Sequence, residues 1–436
     1  MYRRHRVIVS SLVLLLSCTV ATGDGQPPLI SRLAKDPATS LYTITVKADK
    51  SPLVVDLAGS LVWSTCPSTH STVPCESATC ATAKQQGPSR CRYVDGGRFW
   101  ETRELGSSWC ACTAHPLNPV TGECSTGDLT SLAMSANTTT ELRPEESFYV
   151  VGACAPDRLL RSLPAGATGV AGFSRLPLSL PLQLAAQRGF GSRFSLCLPV
   201  FATFGDTPVY LPVPDPRGPI DFTTSGVAHT PLLASPANAA GGNYYIPVKG
   251  ISVSWHEAHA AAQLPAGALD LDARTGRGGV ALSTVAPYAT MRPDVFRAFA
   301  RAFDDAITRG KIPMTTVERV VPAPEPFELC YRGGFPRLKR PSSWDVPRIV
   351  LELGEGATRN WTLSNNNYLV EVDGAMCVGI LPMTGMPVDS EPAVVIGGKQ
   401  LENNLLVFDL ENQQLGFSGL LDFALTSCGS ATFSTN

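Results

Sequence analysis

Twice along this 436-residue chain, an apolar strand ends in a small polar residue and is followed, at nearly the same distance, by an apolar strand ending in glycine. The first copy is Val54-Val55-Asp56 with Thr168-Gly169-Val170-Ala171-Gly172-Phe173. The second is Val280-Ala281-Leu282-Ser283 with Val394-Val395-Ile396-Gly397-Gly398. Asp56 stands 116 residues before Gly172, and Ser283 stands 115 before Gly398. A duplicated unit of that size calls for two lobes of one design, each able to bury its own core. Pro208, Pro212, Pro214, Pro216 and Pro219 crowd the stretch between the copies and place the junction near 203–220. The lobes are accordingly expected at 24–205 and 206–436.

Most of the chain reads as short strands. Runs of Val, Ile, Leu and Tyr bounded by Gly, Pro, Asn or Asp occur at 41–46, 53–55, 148–151, 209–213, 349–353, 368–372, 394–396 and 405–410. Helical periodicity is sparse. Its best example is 292–307, with Val295, Phe296, Phe299, Ala300 and Phe303 on one face and Pro293 in the first turn. A shorter candidate is 181–187. The expected class is mainly β, with few short helices.

The N-terminus points to export. Arg3, Arg4 and Arg6 precede an apolar run over 7–16, and Ala21 and Gly23 follow, which is the pattern of a secretory signal peptide over 1–23. That run is too short to span a bilayer, and no later stretch approaches 18 apolar residues, so no membrane anchor is expected. Removing the peptide takes the formal net charge from −2 to −5. A chain with 17% charged residues and that balance offers no broad surface for nucleic acid. Of thirteen cysteines, Cys18 leaves with the peptide. The remaining twelve, an even number in an oxidising compartment, read as six disulfides. Eight lie between Cys66 and Cys154, so a zinc cluster is the rival reading. Cys75-x4-Cys80 and Cys110-Ala-Cys112 match no zinc spacing, and no metal is expected. Asn137-Thr138-Thr139 and Asn360-Trp361-Thr362 are N-glycosylation acceptors.

Other catalytic patterns are incomplete. Gly416-Phe417-Ser418-Gly419 falls short of a nucleophile elbow. His256-Glu257-Ala258-His259 is one residue too short to place two imidazoles on a helix face, and it reads as a solvated loop. Gly397-Gly398-Lys399-Gln400 lacks the leading glycine and the hydroxyl of a phosphate loop, and Arg337-Leu338-Lys339-Arg340 reads as a solvated turn.

The duplicated motifs resemble the pepsin-like aspartic proteases, in which each lobe supplies one Asp-Thr/Ser-Gly loop backed by an apolar-apolar-Gly strand. Val54-Val55-Asp56-Leu57-Ala58-Gly59-Ser60-Leu61-Val62-Trp63 resembles the first loop. Gly278-Gly279-Val280-Ala281-Leu282-Ser283-Thr284 resembles the second, and Val395-Ile396-Gly397-Gly398 with the segment from Leu405 to Phe417 resembles the end of the second lobe. The resemblance implies a bilobal pepsin-like fold. The departures from it bear on chemistry. That mechanism needs two carboxylates sharing a proton. Asp56 is present, but Leu57 and Ala58 replace its supporting hydroxyl and glycine, and Ala58 adds a Cβ to the loop. Ser283 stands in place of the second aspartate, Val285 in place of its glycine, and Leu117 at the flap tyrosine. Asp56 and Ser283 are read as vestigial positions of a dead protease site.

A narrower resemblance rests on Asp56-Leu-Ala-Gly-Ser-Leu-Val-Trp63-Ser-Thr-Cys66, Asn118-Pro-Val-Thr-Gly-Glu-Cys124, Ala153-Cys154-Ala155-Pro156, and Leu282-Ser283-Thr284 with Arg292-Pro293-Asp294-Val295. These are similar to the TAXI-type cereal xylanase inhibitors, related to xyloglucanase inhibitors and basic 7S globulins. The resemblance implies a cofactor-free, monomeric inhibitor, secreted to the plant apoplast or cell wall in defence. Its partner would be a microbial glycoside hydrolase, first of all a family 11 endo-1,4-β-xylanase. In those inhibitors second-lobe loops enter the enzyme cleft, with a C-terminal histidine between the catalytic glutamates. Aligning Leu415-Gly416-Phe417-Ser418 and the following Phe423 puts Asp422 in the histidine's place. The second contact loop maps to 337–345, including Pro341 and Trp344. A third carboxyl in an acidic cleft implies weak, low-pH or redirected inhibition. Lobe membership suggests Cys330–Cys377 within the second lobe, Cys197–Cys428 between lobes, and the other eight cysteines paired inside the first. Two rivals stay open: an atypical aspartic endopeptidase, and a storage or peptide-binding protein of the basic 7S globulin type.

Overall fold

The computed structural model describes residues 26–87, 92–93, 110–140, 144–214, 218–234, 242–311, 316–338, 343–384 and 392–433. The expected signal peptide, Cys18, Cys91, Pro216, Lys339, Arg340 and Pro341 lie outside the described residues.

The duplicated motifs form the same substructure twice. Leu53–Asp56 and Gly169–Gly172 lie side by side in parallel, with Val54 opposite Val170 and Asp56 opposite Gly172. Val280–Leu282 and Val394–Ile396 do the same, with Val280 opposite Val394. The second offset is therefore 114 residues, one fewer than the motif spacing suggests. Strands paired this way are covered on both faces, which is why they read as continuous apolar runs rather than alternating ones. Glycine at Gly172 is a steric requirement, since a Cβ there would sit 2.4 Å from the Gly59 carbonyl oxygen. Gly397 meets the backbone of Tyr288 in the same way, at 2.3 Å.

Around these cores the chain is mainly β and bilobal, with the pepsin-like arrangement. One sheet of 13 strands runs through the first lobe and beyond it. Its far edge is built from second-half strands: Leu405–Asp409 pairs with Arg193–Cys197, Gln414–Phe417 follows, and Ala228–Pro231 closes the edge. The second lobe adds a five-stranded sheet and two four-stranded sheets. An aromatic cluster seals the junction. Phe194 stacks on Phe408 at 4.6 Å, Tyr244 packs on Phe408 at 4.7 Å, and the Tyr244 hydroxyl donates to the Phe173 carbonyl at 2.8 Å.

The long amphipathic stretch forms the helix Pro293–Gly310, with Val295, Phe296, Phe299 and Phe303 buried. The shorter one forms Leu180–Arg188, ended by Gly189 in the left-handed region at φ 68°. A third helix, Ala78–Gln85, has little apolar periodicity of its own and is anchored instead by Cys80. Disulfides join Cys66–Cys154, Cys75–Cys110, Cys80–Cys112, Cys197–Cys428 and Cys330–Cys377, and Cys124 is disulfide-bonded as well. Cys197–Cys428 fastens the C-terminal segment to the strand Arg193–Cys197. Among the described residues, no group of His, Cys, Asp and Glu is placed to hold a metal, and no helix is long and apolar enough to cross a membrane.

Candidate functional site

The two duplicated loops meet where the lobes meet. Asp56 ends its strand only 6% exposed. Its Oδ1 accepts from the Ala58 N–H at 2.9 Å, and its carbonyl accepts from Gly59 and Phe173. Burial pushes the carboxyl up to about 6, although the N–H groups of Ala58 and Gly59 pull the other way. Among the described residues no hydrogen bond joins Asp56 to Ser283. The Ser283 hydroxyl instead accepts from the N–H groups of Val285 and Ala286, at 3.2 and 3.1 Å, and so closes its own turn. The next residue crosses between the lobes. Thr284 Oγ1 donates to the Val55 carbonyl at 2.6 Å and accepts from the Leu57 N–H at 3.2 Å. Leu57 is fully buried and has no hydroxyl with which to return that bridge.

Ala58 is not among the non-glycine residues at positive φ, so its Cβ sits on an ordinary backbone. Val285 packs its side chain against the first-lobe core. The position aligned with the flap contributes backbone: the Leu117 carbonyl accepts from Trp63 Nε1 at 2.9 Å.

The C-terminal loop is built differently. A 3-10 turn over Leu421–Ala424 ends at Leu425 in the left-handed region, φ 54°. Asp422 is not a bare prong. Its Oδ1 accepts from Asn403 Nδ2 at 2.7 Å and its Oδ2 from Asn366 Nδ2 at 3.0 Å. With the carboxylate held inward, the neighbouring apolar side chains turn out, Phe423 45% and Leu425 50% exposed. Phe423 rims a cavity of about 400 Å³ with Arg348, Arg359, Thr362 and Ser418. Asp422 lines a second cavity, of about 450 Å³, with Lys399, Glu402 and Asn403.

Trp344 is half-buried under the Arg337 guanidinium, 4.1 Å from its ring centroid, and its backbone N–H donates to Asn365 Oδ1. Beside it, Asp345 joins the loop to the tip of the hairpin at His256. His256 Nε2 lies 2.8 Å from Asp345 Oδ2, and Nδ1 lies 2.7 Å from the Gly310 carbonyl. The His256–His259 segment is solvent-exposed at His256, Glu257 and His259, as expected, but it is a tight hairpin turn tied at its tip rather than an open loop. Burial opposes charge on His256, but the Gly310 carbonyl and the Asp345 carboxylate outweigh it and raise the pKa.

Comparison with known proteins places this geometry. Residues 42–206 match the xylanase inhibitor N-terminal domain, and residues 243–419 match the xylanase inhibitor C-terminal domain. The chain belongs to the TAXI-type family. Within and around that family, it is 39% identical over 422 residues to a rice (Oryza sativa subsp. japonica) protein named chitinase CLP, covering 93% of this chain and 91% of that one. It is 30% identical to gamma conglutin 1 of Prunus dulcis, covering 98% and 95% of the two chains. The crystal structure of edgp superposes with a TM-score of 0.76 at 26% identity, over 94% of this chain and 99% of that one.

Set against TAXI-type proteins, Asp422, Phe423 and Trp344 all belong to the second half of the chain, and Asp422 and Phe423 share one turn. Sequence reasoning missed Asn366 and Asn403, the residues that decide which way Asp422 points. Their signal was present in the run Asn365-Asn366-Asn367 and in Asn403-Asn404, which is unusual density for a residue that favours turns.

Proposed function

We propose that this chain is a secreted inhibitor of microbial cell-wall glycoside hydrolases, with endo-1,4-β-xylanase as the first target, and that it has no protease activity. The membership supports the inhibitor class. The observation that carries the reading is the outward display of Phe423 and Leu425 on a turn whose acid is held inward by two amides. Pre-set apolar side chains on a rigid scaffold are what a protein-binding loop needs, since little is left to order on association. The loss of proteolysis is supported by the two half-sites: one holds a buried carboxyl and the other a serine whose hydroxyl is committed to its own turn, and among the described residues no second carboxyl hydrogen-bonds Asp56 to share a proton. Cys197–Cys428 keeps the loop seated, and the disulfides with the sequons at Asn137 and Asn360 support export to the apoplast.

The test is titration of the secreted protein against family 11 xylanases at pH 4 and pH 6, with Phe423→Ala alongside. Inhibition lost on Phe423→Ala without a change in melting temperature is the expected result. Full inhibition by that variant, or none by the wild type against any xylanase or xyloglucanase, overturns the reading. A second reading follows the rice relative's name. Glu402 and Asp422 line one cavity, and glycoside hydrolysis uses carboxyl pairs. Glu402 is already committed to Lys35 and Tyr42, and Asp422 to two amides, so we place chitin hydrolysis second. Release of sugar from chitin oligosaccharides would reverse that order.

A further inference from the structure

The cavity beside Phe423 has one rim residue whose chemistry differs from the rest. Asn360 lines it, is exposed, and opens the sequon Asn360-Trp361-Thr362. Its side chain is oriented by its own oxygen, since Oδ1 accepts from the Leu353 N–H at 3.0 Å. Nδ2 has no hydrogen-bond partner among the described residues, and Nδ2 is the atom an N-linked sugar occupies. The ground under it is rigid. Trp361 is fully buried and stacks on Phe417 at 5.0 Å, and the Arg359 guanidinium donates to the Ser418 carbonyl at 2.8 Å. The same cavity is also lined by Phe423, the exposed aromatic of the C-terminal turn.

We propose that Asn360 carries an N-linked glycan whose first N-acetylglucosamine seats in this cavity against Phe423. The sugar then sets how much of the 420–425 turn a partner can reach. That consequence rests on the inhibitor reading, whereas the sugar's seat does not. The transfer uses a lipid-diphosphate oligosaccharide as donor. A bond forms between Nδ2 of Asn360 and C1 of the sugar, the C1–oxygen bond to the diphosphate breaks, and Nδ2 gives up one proton as the lipid diphosphate leaves. A cavity of about 400 Å³ has room for one sugar ring. Arg348, Arg359 and Thr362 offer hydrogen bonds to sugar hydroxyls and the acetamido group, and Phe423 offers an apolar face. Such a contact is weak in free solution. Tethering through Nδ2 raises its effective concentration to about millimolar, which holds a millimolar contact about half the time.

The experiment uses the full chain secreted from a glycosylating eukaryotic host, with hydroxyl-radical footprinting of Phe423 and with Leu425 as the internal reference. Peptide mapping should find Asn360 occupied. Phe423 oxidation should rise about twofold when the glycan is removed whole by an amidase, and equally in Thr362→Val, which destroys the sequon but keeps Asn360. Trimming with an endoglycosidase that leaves one N-acetylglucosamine should keep the protection. Asn137→Gln should leave Phe423 unchanged. An unoccupied Asn360, or equal Phe423 oxidation with and without the glycan, overturns the proposal, and so does protection that disappears on trimming to one sugar. In xylanase titration the deglycosylated form and Thr362→Val should inhibit at least about twofold more tightly. If neither form inhibits while the footprint still changes, the inhibitor reading has failed and the seat of the sugar stands.

Discussion

Replacing Asp56 by asparagine should stabilise the protein, and only above about pH 4. Asp56 is buried with no cationic neighbour among the described residues to offset its charge, and its carboxyl is pushed up to about 6 from an ordinary 3.8. A raised acid binds its proton more tightly in the folded state. Its stabilising contribution is therefore complete below the unfolded value of 3.8 and is lost as pH rises through about 6. Asparagine keeps the Oδ1 that accepts from Ala58 and never ionises. The difference between variant and wild type should thus grow with pH. Linkage gives next to nothing at pH 3, about 1 kcal/mol at pH 4.5 and about 3 kcal/mol at pH 7. With an unfolding entropy of about 2.1 cal/mol/K per residue, the last figure is about 3 °C in melting temperature. Any offset at pH 3, where both side chains are neutral, reports the fit of the amide alone, so the informative quantity is the change in the offset with pH. Calorimetry of both proteins at pH 3, 4.5, 6 and 7 reads it directly. An offset constant across that range would show that Asp56 ionises in the fold as readily as in water, and the account of a carboxyl raised by desolvation would be refuted.

Thr284→Val should cost about 3 kcal/mol in urea unfolding, because it leaves the Val55 carbonyl and the Leu57 N–H buried and unpaired, while Thr284→Ser should recover most of it. Removing Cys197–Cys428 by a double alanine substitution should destabilise by about 5 kcal/mol, as expected for a loop closed over a separation of 231 residues. His256→Gln should lower the melting temperature more at pH 5 than at pH 8. The raised imidazole pKa makes its contribution complete below about 6.5 and lost as pH climbs past the folded value, so an equal loss at both pH values would count against the clasp to Asp345 and Gly310. Asp422→Ala should free Asn366 and Asn403, speed amide exchange across 421–425, and weaken xylanase inhibition even if the carboxylate touches no partner. Unchanged exchange would mean the two amides do not orient the turn.

Local pattern was enough for much of the architecture. The helix Pro293–Gly310 announced itself because Val295, Phe299 and Phe303 recur at helical spacing and Pro293 suits a first turn. The central strands did so because both faces are covered and every residue must be apolar. What escaped had long-range causes. Helix Ala78–Gln85 lacks an apolar stripe and is held by Cys80–Cys112, a constraint invisible to periodicity. The Cβ that Ala58 adds could be read from its residue type, but its φ, which is not positive, could not. Asp422 could be placed by alignment, yet its direction depends on Asn366 and Asn403, which lie 56 and 19 residues away along the chain.

The duplicated motif by itself determined that there are two half-sites, that Asp56 stands in one and Ser283 in the other, and that their backing strands need glycine. Residue identity and spacing are covalent facts, whereas the steric reason for the glycine at Gly172 is the Gly59 carbonyl that folding brings against it. Tertiary structure alone decided that Thr284 bridges the lobes from one side only, that the last strands belong to the first lobe's sheet, and that Phe423 faces solvent while Asp422 turns inward. Each of those depends on hydrogen bonds between residues far apart in the chain, which form only where folding has brought their partners within about 3 Å.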